Sequence, residues 1–470
     1  MNRVAHMPEK QSRNRNILKS INPATGELVK EYEAMSAQEA HAVIDAAHIA
    51  FTDWRDTDFE TRAGLMSKMA GLLEDKKEEL ATLMSTEMGK VRKEAVSEIE
   101  KCAWVCDYYA EHAQEFLADE EVDTSMAQSL VTYQPIGVVL AVMPWNFPFW
   151  QVFRFAAPSL MAGNAGALKH ASSVSGCALA IEDLFKEAGF PENLFRTALV
   201  GSDKVGDLIE NPHLRAVTLT GSTAAGRSVA AKAGECLKKT VLELGGSDPY
   251  VVLEDADIKK AAATCTKSRL INAGQSCIAA KRFIVVKEVY DEFIKALENE
   301  MGAKTTGMPD DKDADIGPLS SEGLRDDLHK QVTKSIDQGA KCILGGKVPD
   351  KKGAWYPPTI LIDITEGMTA YEEELFGPVA SVIKAQDMED AIAIANDSPY
   401  GLGGAVFTED IEKGRDIARR KINSGAVTVN DFVKSDPRMP FGGVKDSGYG
   451  RELSWFGIRE FVNIKAVNIA

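Results

Sequence analysis

Gly274-Gln275-Ser276-Cys277-Ile278 places one thiol on a small polar turn, just past a helical register that runs from about Asp257 to Ile271. A free cysteine is more often a buried packing residue than a nucleophile, and that role is open to Cys277 taken alone. Its neighbours favour the nucleophile: Gly274 permits a close backbone approach, and Gln275 and Ser276 keep the turn polar. The other six cysteines fall inside helix or strand patterns and read as packing residues. A thiol nucleophile needs a base and a site for an oxyanion. Of the seven histidines only His170 has a strand-end context, so a Cys-His hydrolase has little support. Leu242-Glu243-Leu244-Gly245-Gly246 offers a carboxylate at an apolar strand end instead. Glu243 is either solvated there or desolvated, and a desolvated carboxylate has a raised pKa that suits a base near neutral pH.

Two more segments sit where strands open onto loops, the place where α/β sheets put their sites. Pro144-Trp145-Asn146-Phe147-Pro148 follows an apolar strand and makes Asn146 a rigid amide donor, unless the segment is only a structural turn. Gly221-Ser222-Thr223-Ala224-Ala225-Gly226 follows another strand and opens a helix, a turn suited to phosphate or ribose. It is not the glycine pattern of a dinucleotide fingerprint, and alone it is weak.

The elements that must position these residues come in two styles. Ala40, Val43, Ala47, Phe51 and Trp54 recur at helical spacing, as do Leu65, Met66, Met69, Leu72 and Leu73, and then Val91, Ala95, Ile99, Ala103 and Cys106. Three amphipathic helices are therefore predicted first. From Gly137 to Met143 an apolar strand begins an alternation: a helix from about Gln151, strand Ala165–Leu168, helix Val174–Ala188, and strands at Thr197–Val200, Ala216–Thr220 and Thr240–Leu244. Continuous apolar strands alternating with helices indicate a parallel sheet covered on both faces. After Pro249 a second series follows, with helix Asp257–Ile271, strand Phe283–Val286, helix Val289–Met301, and strands Ala380–Lys384 and Ala426–Val429. Leu130–Tyr133 reads as β, with Arg459–Val467 or another subunit as its partner.

Composition bounds the partners. The 470 residues are 44% hydrophobic and 26% charged, enough for more than one ordinary domain and a large core. Lys plus Arg number 54 against 70 Asp plus Glu, a net charge of -16 that disfavours nucleic acid and anionic membranes. Anionic substrates would then need a local positive site. The longest apolar run, Gly137 to Met143, is too short to span a bilayer. Met1 to Arg15 carries bases without an apolar core, which predicts a tail and no secretory signal, with a transit peptide as the alternative. Seven irregularly spaced cysteines fit neither a disulfide framework nor a zinc site, so no metal is expected and a reducing cytoplasm is.

Pro144-Trp145-Asn146-Phe147-Pro148, Leu242-Glu243-Leu244-Gly245-Gly246, Gly274-Gln275-Ser276-Cys277, Glu374-Leu375-Phe376-Gly377-Pro378 and Pro440-Phe441-Gly442-Gly443 occur in this order. The set resembles the aldehyde dehydrogenase superfamily over nearly the whole chain, from about Ile21 to Ala466. Leu168-Lys169-His170-Ala171-Ser172, Gly245-Gly246-Ser247-Asp248-Pro249 and Ser276-Cys277-Ile278-Ala279-Ala280-Lys281-Arg282 look most like the bacterial and cyanobacterial succinate-semialdehyde dehydrogenases. The resemblance implies an α/β fold: a Rossmann-type parallel-sheet cofactor domain (1–120 and 139–248), an α/β catalytic domain (249–440) and a small β oligomerisation arm (121–138 and 455–470).

It also implies roles. Cys277 adds to an aldehyde carbonyl to give a thiohemiacetal, which is oxidised to a thioester and hydrolysed. Asn146 and the Cys277 N–H serve as oxyanion donors, and Glu243 as the base. Lys169 holds the adenosine ribose, Gly221 and Ser222 lie at the pyrophosphate, and Glu374 anchors the nicotinamide ribose. Phe376, Trp145 and Leu244 line the same crevice. Ser172 stands where many NAD-preferring relatives carry Glu, so NADP is expected, with NAD used less well. His170 replaces the proline common after the matching lysine. Arg154, on a helix of otherwise apolar residues, matches a clamp for a distal carboxylate, and Ser435 a second contact to it. An internal ion pair is the alternative for Arg154. Some succinate-semialdehyde dehydrogenases have an arginine where this chain has Ile271, and some have a second cysteine where it has Ala279.

Succinate semialdehyde is thus the expected substrate, with glutarate semialdehyde or a neutral aliphatic aldehyde as alternatives. A cofactor-independent thioesterase using Cys277 and Glu243 would leave Gly221, Ser222 and Glu374 unexplained. A silent scaffold would leave Cys277, Glu243 and Asn146 without purpose. The expected partners are the small aldehyde and a second copy of the chain, in a homodimer or homotetramer.

Overall fold

Chain entry is an antiparallel hairpin, β1 (Ile17–Asn22) and β2 (Glu27–Glu33), in a computed structural model that describes residues 16–470. The tail expected at Met1–Arg15 lies outside the described residues. Periodicity does not announce this hairpin because β2 is exposed along most of its length. Helices α1 (Ala37–Trp54), α2 (Phe59–Met88) and α3 (Arg92–Phe116) follow. Their buried faces are the predicted stripes: Ala40, Val43, Ala47, Phe51 and Trp54, then Met66, Met69 and Leu73, then Ala95, Ile99, Ala103 and Cys106.

After β3 (Glu120–Glu121) and β4 (Gln128–Pro135) comes the first α/β series: β5 (Val138–Met143), α4 (Trp150–Met161), β6 (Ala165–His170), α5 (Ser175–Ala188), β7 (Phe195–Thr197), α6 (Val205–Glu210), β8 (Leu214–Thr220), α7 (Thr223–Glu235) and β9 (Lys239–Glu243). The strand expected at Thr197–Val200 begins and ends earlier, as β7. The second series is β10 (Asp248–Val252), α8 (Ile258–Leu270), β11 (Ala280–Val286), α9 (Tyr290–Gly302), α10 (Glu322–Asp337), β12 (Lys341–Leu344), β13 (Thr359–Ile362), α11 (Thr369–Glu372), β14 (Val379–Ala385), α12 (Met388–Asn396), β15 (Gly403–Phe407), α13 (Ile411–Asp416) and β16 (Ala426–Val429). The chain closes with β17 (Gly448–Tyr449), α14 (Ser454–Ile458) and β18 (Val462–Ile469).

The first sheet has the order β17-β9-β8-β5-β6-β7, parallel except for β17. The second has the order β12-β13-β14-β11-β10-β15-β16, parallel except for β12. Each is a crossover α/β sheet over its own apolar core. The third sheet, β18-β4-β3, is antiparallel, and β18 pairs with β4 from Val462↔Pro135 to Ile469↔Gln128. The pairing foreseen for the chain's end is therefore made within the chain.

This topology puts the chemistry together. The segments after β5, β6, β8 and β9 carry Trp145 with Asn146, Ser172, Gly221 with Ser222, and Leu244, all at the carboxyl end of one parallel sheet. Lys169 and Glu243 are among the last residues of β6 and β9. Four residues separate β9 from β10, and Cys277 stands just before β11, so the C-terminal edge of the first sheet meets the N-terminal edge of the second.

Candidate active site

The turn that carries Cys277 is held in a costly shape. Beyond α8 the backbone of Asn272 (φ 53°), Ala273 (φ 53°) and Gly274 (φ 77°) is left-handed at three successive residues. Glycine is at ease there and asparagine tolerates it, whereas a residue such as Ala273 costs roughly 1–2 kcal/mol. Gly274 is needed on a second count, because a Cβ would overlap the backbone of Gly377. Hydrogen bonds hold the strained pair. The Asn272 N–H donates to the Glu94 carboxylate (3.0 Å), and its Nδ2 donates to the carbonyls of Asn146 (2.7 Å) and Gln275 (3.3 Å). Gln275 Nε2 donates to the Asn272 carbonyl (3.1 Å), and its Oε1 accepts the Ser320 N–H (2.8 Å). On the far side Lys281 Nζ donates to the carbonyls of Ser276 (3.0 Å) and Cys277 (2.7 Å). Burial pushes Glu94 up to about 7 even with the Asn272 N–H bound to it.

The structure brings Asn146 to this turn. Its Nδ2 donates to the Gln275 carbonyl (3.0 Å), and its Oδ1 accepts from Gln151 Nε2 (3.1 Å). The amide is therefore oriented, with one N–H left over. The Cys277 N–H makes no hydrogen bond among the described residues. Burial pushes the Cys277 thiol up to about 12, against the pull of Arg154 and Lys281. The Leu242–Gly246 segment reaches the same place: a Cβ on Gly246 would lie 2.9 Å from the Cys277 carbonyl oxygen.

Glu243 is 1% exposed, and neither carboxylate oxygen has a hydrogen-bond partner. Burial, and after it the neighbouring Glu452, drives its pKa well above the carboxylate range. It is the desolvated carboxyl of the two readings open from sequence. Arg154 is buried as well, ion-paired to Glu452 and 4.5 Å over the ring of Phe441. The internal ion pair, the alternative to a carboxylate clamp, is present, and Arg154 also lines the main cavity.

That cavity has a volume of about 680 Å³ and is lined by Cys277, Arg154, Ser435, Trp150, Phe441 and Lys101, among others. Ser435 Oγ accepts a hydrogen bond from Lys101 Nζ (2.7 Å). Asn146 and Glu243 are not among the residues that line it; Asn146 reaches the thiol turn through its bond to the Gln275 carbonyl. His170 takes no part in proton transfer: its Nε2 donates to the Pro148 carbonyl (2.9 Å), its Nδ1 accepts the Ala171 N–H (2.9 Å), and burial holds it down at about 4.

The residues expected around a dinucleotide form a second group. Lys169 is buried and makes no ion pair among the described residues, and burial lowers its pKa. A buried cation without a carboxylate is fitted to an external anion. Ser172 opens the short turn after β6, and no acidic side chain occupies its position. Ser222 caps α7, accepting the Ala225 N–H (3.3 Å), and leaves a helix N-terminus facing the strand ends. Leu244 packs against Gly226 so closely that a Cβ there would overlap it. Glu374 accepts the Gly246 N–H (3.2 Å) and pairs with Lys281 (3.2 Å), while Phe376 meets Trp145 edge-on at 5.9 Å. These residues could hold a nicotinamide dinucleotide. Sequence reasoning missed Asn272, Glu94, Glu452 and Lys101. For Asn272 the one usable signal is its type, since Asn tolerates the left-handed region.

Comparison with known proteins gives the same picture over the full length. The family model described as "Aldehyde dehydrogenase family" matches residues 9–467. A Synechocystis protein named probable succinate-semialdehyde dehydrogenase (NADP(+)) is 50% identical over 451 residues, covering 96% of this chain and 99% of that protein. Succinate-semialdehyde dehydrogenase (NADP(+)) 1 of Mycobacterium tuberculosis is 49% identical over 454 residues, covering 96% of this chain and 99% of its own. Among solved structures, succinic semialdehyde dehydrogenase from Streptococcus pyogenes in complex with NADP+ superposes with a TM-score of 0.94 at 38% identity, covering 96% of this chain and 99% of that one. The Mycobacterium tuberculosis aldehyde dehydrogenase complexed with NAD+ has a TM-score of 0.94 at 35% identity, with coverages of 98% and 96%. With the thiol turn, the sheets around it and the sequence agreeing from end to end, the chain belongs to the aldehyde dehydrogenase family.

Proposed function

We propose that this enzyme oxidises succinate semialdehyde to succinate with NADP as the preferred acceptor, through a thiohemiacetal and a thioester on Cys277. What carries the reading is that Cys277, Arg154 and Ser435 line one cavity, so that an aldehyde held at the thiol extends toward cationic and hydroxyl groups. Relatives at about half identity that are named for this substrate and for NADP support it.

The Cys277 sulfur attacks the carbonyl carbon, and its proton passes toward Glu243. The carbonyl oxygen, now an oxyanion, is met by the spare N–H of Asn146 and the unpaired N–H of Cys277. One such donor is worth about 3–4 kcal/mol in the transition state. Phe376, Trp145 and Glu374 would hold the nicotinamide end of a dinucleotide, which when bound would supply the hydride acceptor for oxidation to the thioester level. Glu243 gives up that proton to solvent, then takes another from the water that attacks the thioester carbonyl; the sulfur–carbon bond breaks, the acid leaves, and the proton held on Glu243 returns to the Cys277 thiolate. Arg154 and Ser435 contact the distal carboxylate. Lys169, Ser172, Gly221 and Ser222 hold the adenosine and phosphate end, and Glu374, Trp145, Phe376 and Leu244 the nicotinamide end.

Residues 1–120 and 139–248 form the dinucleotide-binding domain in this reading, 249–440 the catalytic domain, and 121–138 with 455–470 an arm between subunits of a homodimer or homotetramer. In this reading the enzyme works in the cytoplasm, the reducing compartment that seven irregularly spaced cysteines suit. Reduced-cofactor formation by the purified protein tests the whole reading, with succinate semialdehyde and butanal, each with NADP and NAD. Fast NADP-linked turnover of the charged aldehyde and slow turnover of butanal are expected. Ser172→Glu should move the preference toward NAD, by placing a carboxylate where a 2′-phosphate would sit. Equal kcat/KM for both aldehydes, or an NAD preference in the unaltered enzyme, would overturn the corresponding half.

A further inference from the structure

Four cationic side chains line the cavity, and three of them already have a carboxylate. Lys93 pairs with Asp315 (3.6 Å), Lys434 with Asp431 (2.8 Å), and Arg154 with Glu452. The acidic lining residues are occupied too. Glu98 pairs with Lys90 and accepts the N–H groups of Phe149 (2.9 Å) and Trp150 (3.0 Å), and Asp436 pairs with Arg438 (2.7 Å). Glu94 binds the Asn272 N–H and is biased toward its neutral form by burial. Lys101 is the exception. Among the described residues no carboxylate lies within 4.0 Å of its Nζ, which donates to Ser435 Oγ (2.7 Å) and rests 4.2 Å from the ring centroid of Trp150.

We propose that Lys101 is the specificity-determining cation of this enzyme: its ammonium, seated on Trp150 and hydrogen-bonded to Ser435, takes the distal carboxylate of the aldehyde. The inference rests on the reading of the substrate as a semialdehyde acid, and adds the residue that supplies the net charge. An ammonium has three donors; Ser435 takes one, and two remain for a carboxylate. Arg154 still offers N–H groups, but its charge is shared with Glu452, so it orients a carboxylate more than it attracts one. The aromatic wall of Trp150, Phe432 and Phe441 excludes water and strengthens the remaining charge. Burial, with Arg154 nearby, lowers the proton affinity of Lys101 to about 8; an arriving anion offsets that cost. Such a half-buried lysine on α3 looks, from sequence, like any solvated helix position.

Lys101→Met and Lys101→Arg in the full chain test this, with kcat/KM measured for succinate semialdehyde and for butanal under saturating NADP. For Lys101→Met the ratio of the charged to the neutral aldehyde should fall at least about 30-fold, carried mainly by KM, the scale expected when one partner of a desolvated charge pair is removed. Lys101→Arg should bring most of the ratio back. Succinate, as a competitive inhibitor of butanal oxidation, should lose affinity in the Met variant by a similar factor. A ratio that survives in Lys101→Met, or both aldehydes falling alike, would remove Lys101 while leaving the substrate reading intact. An unaltered enzyme that does not prefer the charged aldehyde would overturn both.

Discussion

A thiol held near 12 and a carboxyl held far above its ordinary range share one property: each keeps its proton where free side chains would lose it. Chemistry needs the opposite forms, a thiolate to attack and a carboxylate to receive protons. Their shifts therefore act with the same sign, and activity should climb as pH rises. With butanal, whose binding does not call on Lys101, log(kcat/KM) is expected to increase by at least about one per pH unit from pH 6 to beyond pH 8. A profile already flat at pH 6 would mean that the resting enzyme holds an ionised thiol. Much of this residue scale was legible beforehand: Cys277, Glu243 and Asn146 stand out by type and by the loops that carry them. Pairing was not. That Glu452 pairs with Arg154, while no carboxylate among the described residues lies within 4.0 Å of Lys101 Nζ, depends on which side chains meet across the fold, and spacing along the chain carries no record of it.

At the scale of elements, the nucleophile turn is a strained joint between α8 and β11, fixed by side chains from elsewhere. Asn272 does two things there: it tolerates a positive φ, and its Nδ2 ties the Asn146 loop to the Cys277 turn. The two roles separate by substitution. Asn272→Gly keeps the backbone at ease and removes the tie; Asn272→Ala removes the tie and keeps the strain. Both variants should lose activity to a similar degree, about 10-fold or more, because the oxyanion donor is no longer held in register with the thiol. The glycine variant should nevertheless be more stable than the alanine one, by about 1 kcal/mol. Kinetics and denaturant unfolding of the pair check this, and an alanine variant with full activity would show that the tie is dispensable. The helices and the inner parallel strands were legible here because their apolar runs are buried on both sides or striped along one. β2 and the exposed arm strand β18 were harder, since solvent-facing strands lack that alternation, and the turn's left-handed geometry leaves no periodic trace.

The whole molecule sets the carboxyl end of one parallel sheet against the amino end of another, so that the segment after β5, with Phe147 and Trp150, and the thiol turn before β11 meet at the cavity. The third sheet serves neither. Its strand β18 pairs with β4 on one side only and presents Ile464 (62% exposed) and Ile469 (49% exposed) to solvent. An edge strand with free N–H and C=O groups and apolar side chains is a template for another strand unless something blocks it. The arm is also firmly mounted: Arg459 pairs with Glu120 (2.8 Å) and lies 4.2 Å over the ring of Tyr133, and Ser129 Oγ donates to Asn468 Oδ1 (2.8 Å). A rigid arm with an open edge suits the contact between subunits expected from the resemblance. Light scattering of the purified chain should therefore give a dimer or tetramer, and Ile464→Asp with Ile469→Asp should shift it to a smaller species. Because these side chains point away from both cores, the variant should keep its fold by circular dichroism. An unaltered chain that is monomeric at micromolar concentration would assign the arm another task, and so would a double variant that assembles as before.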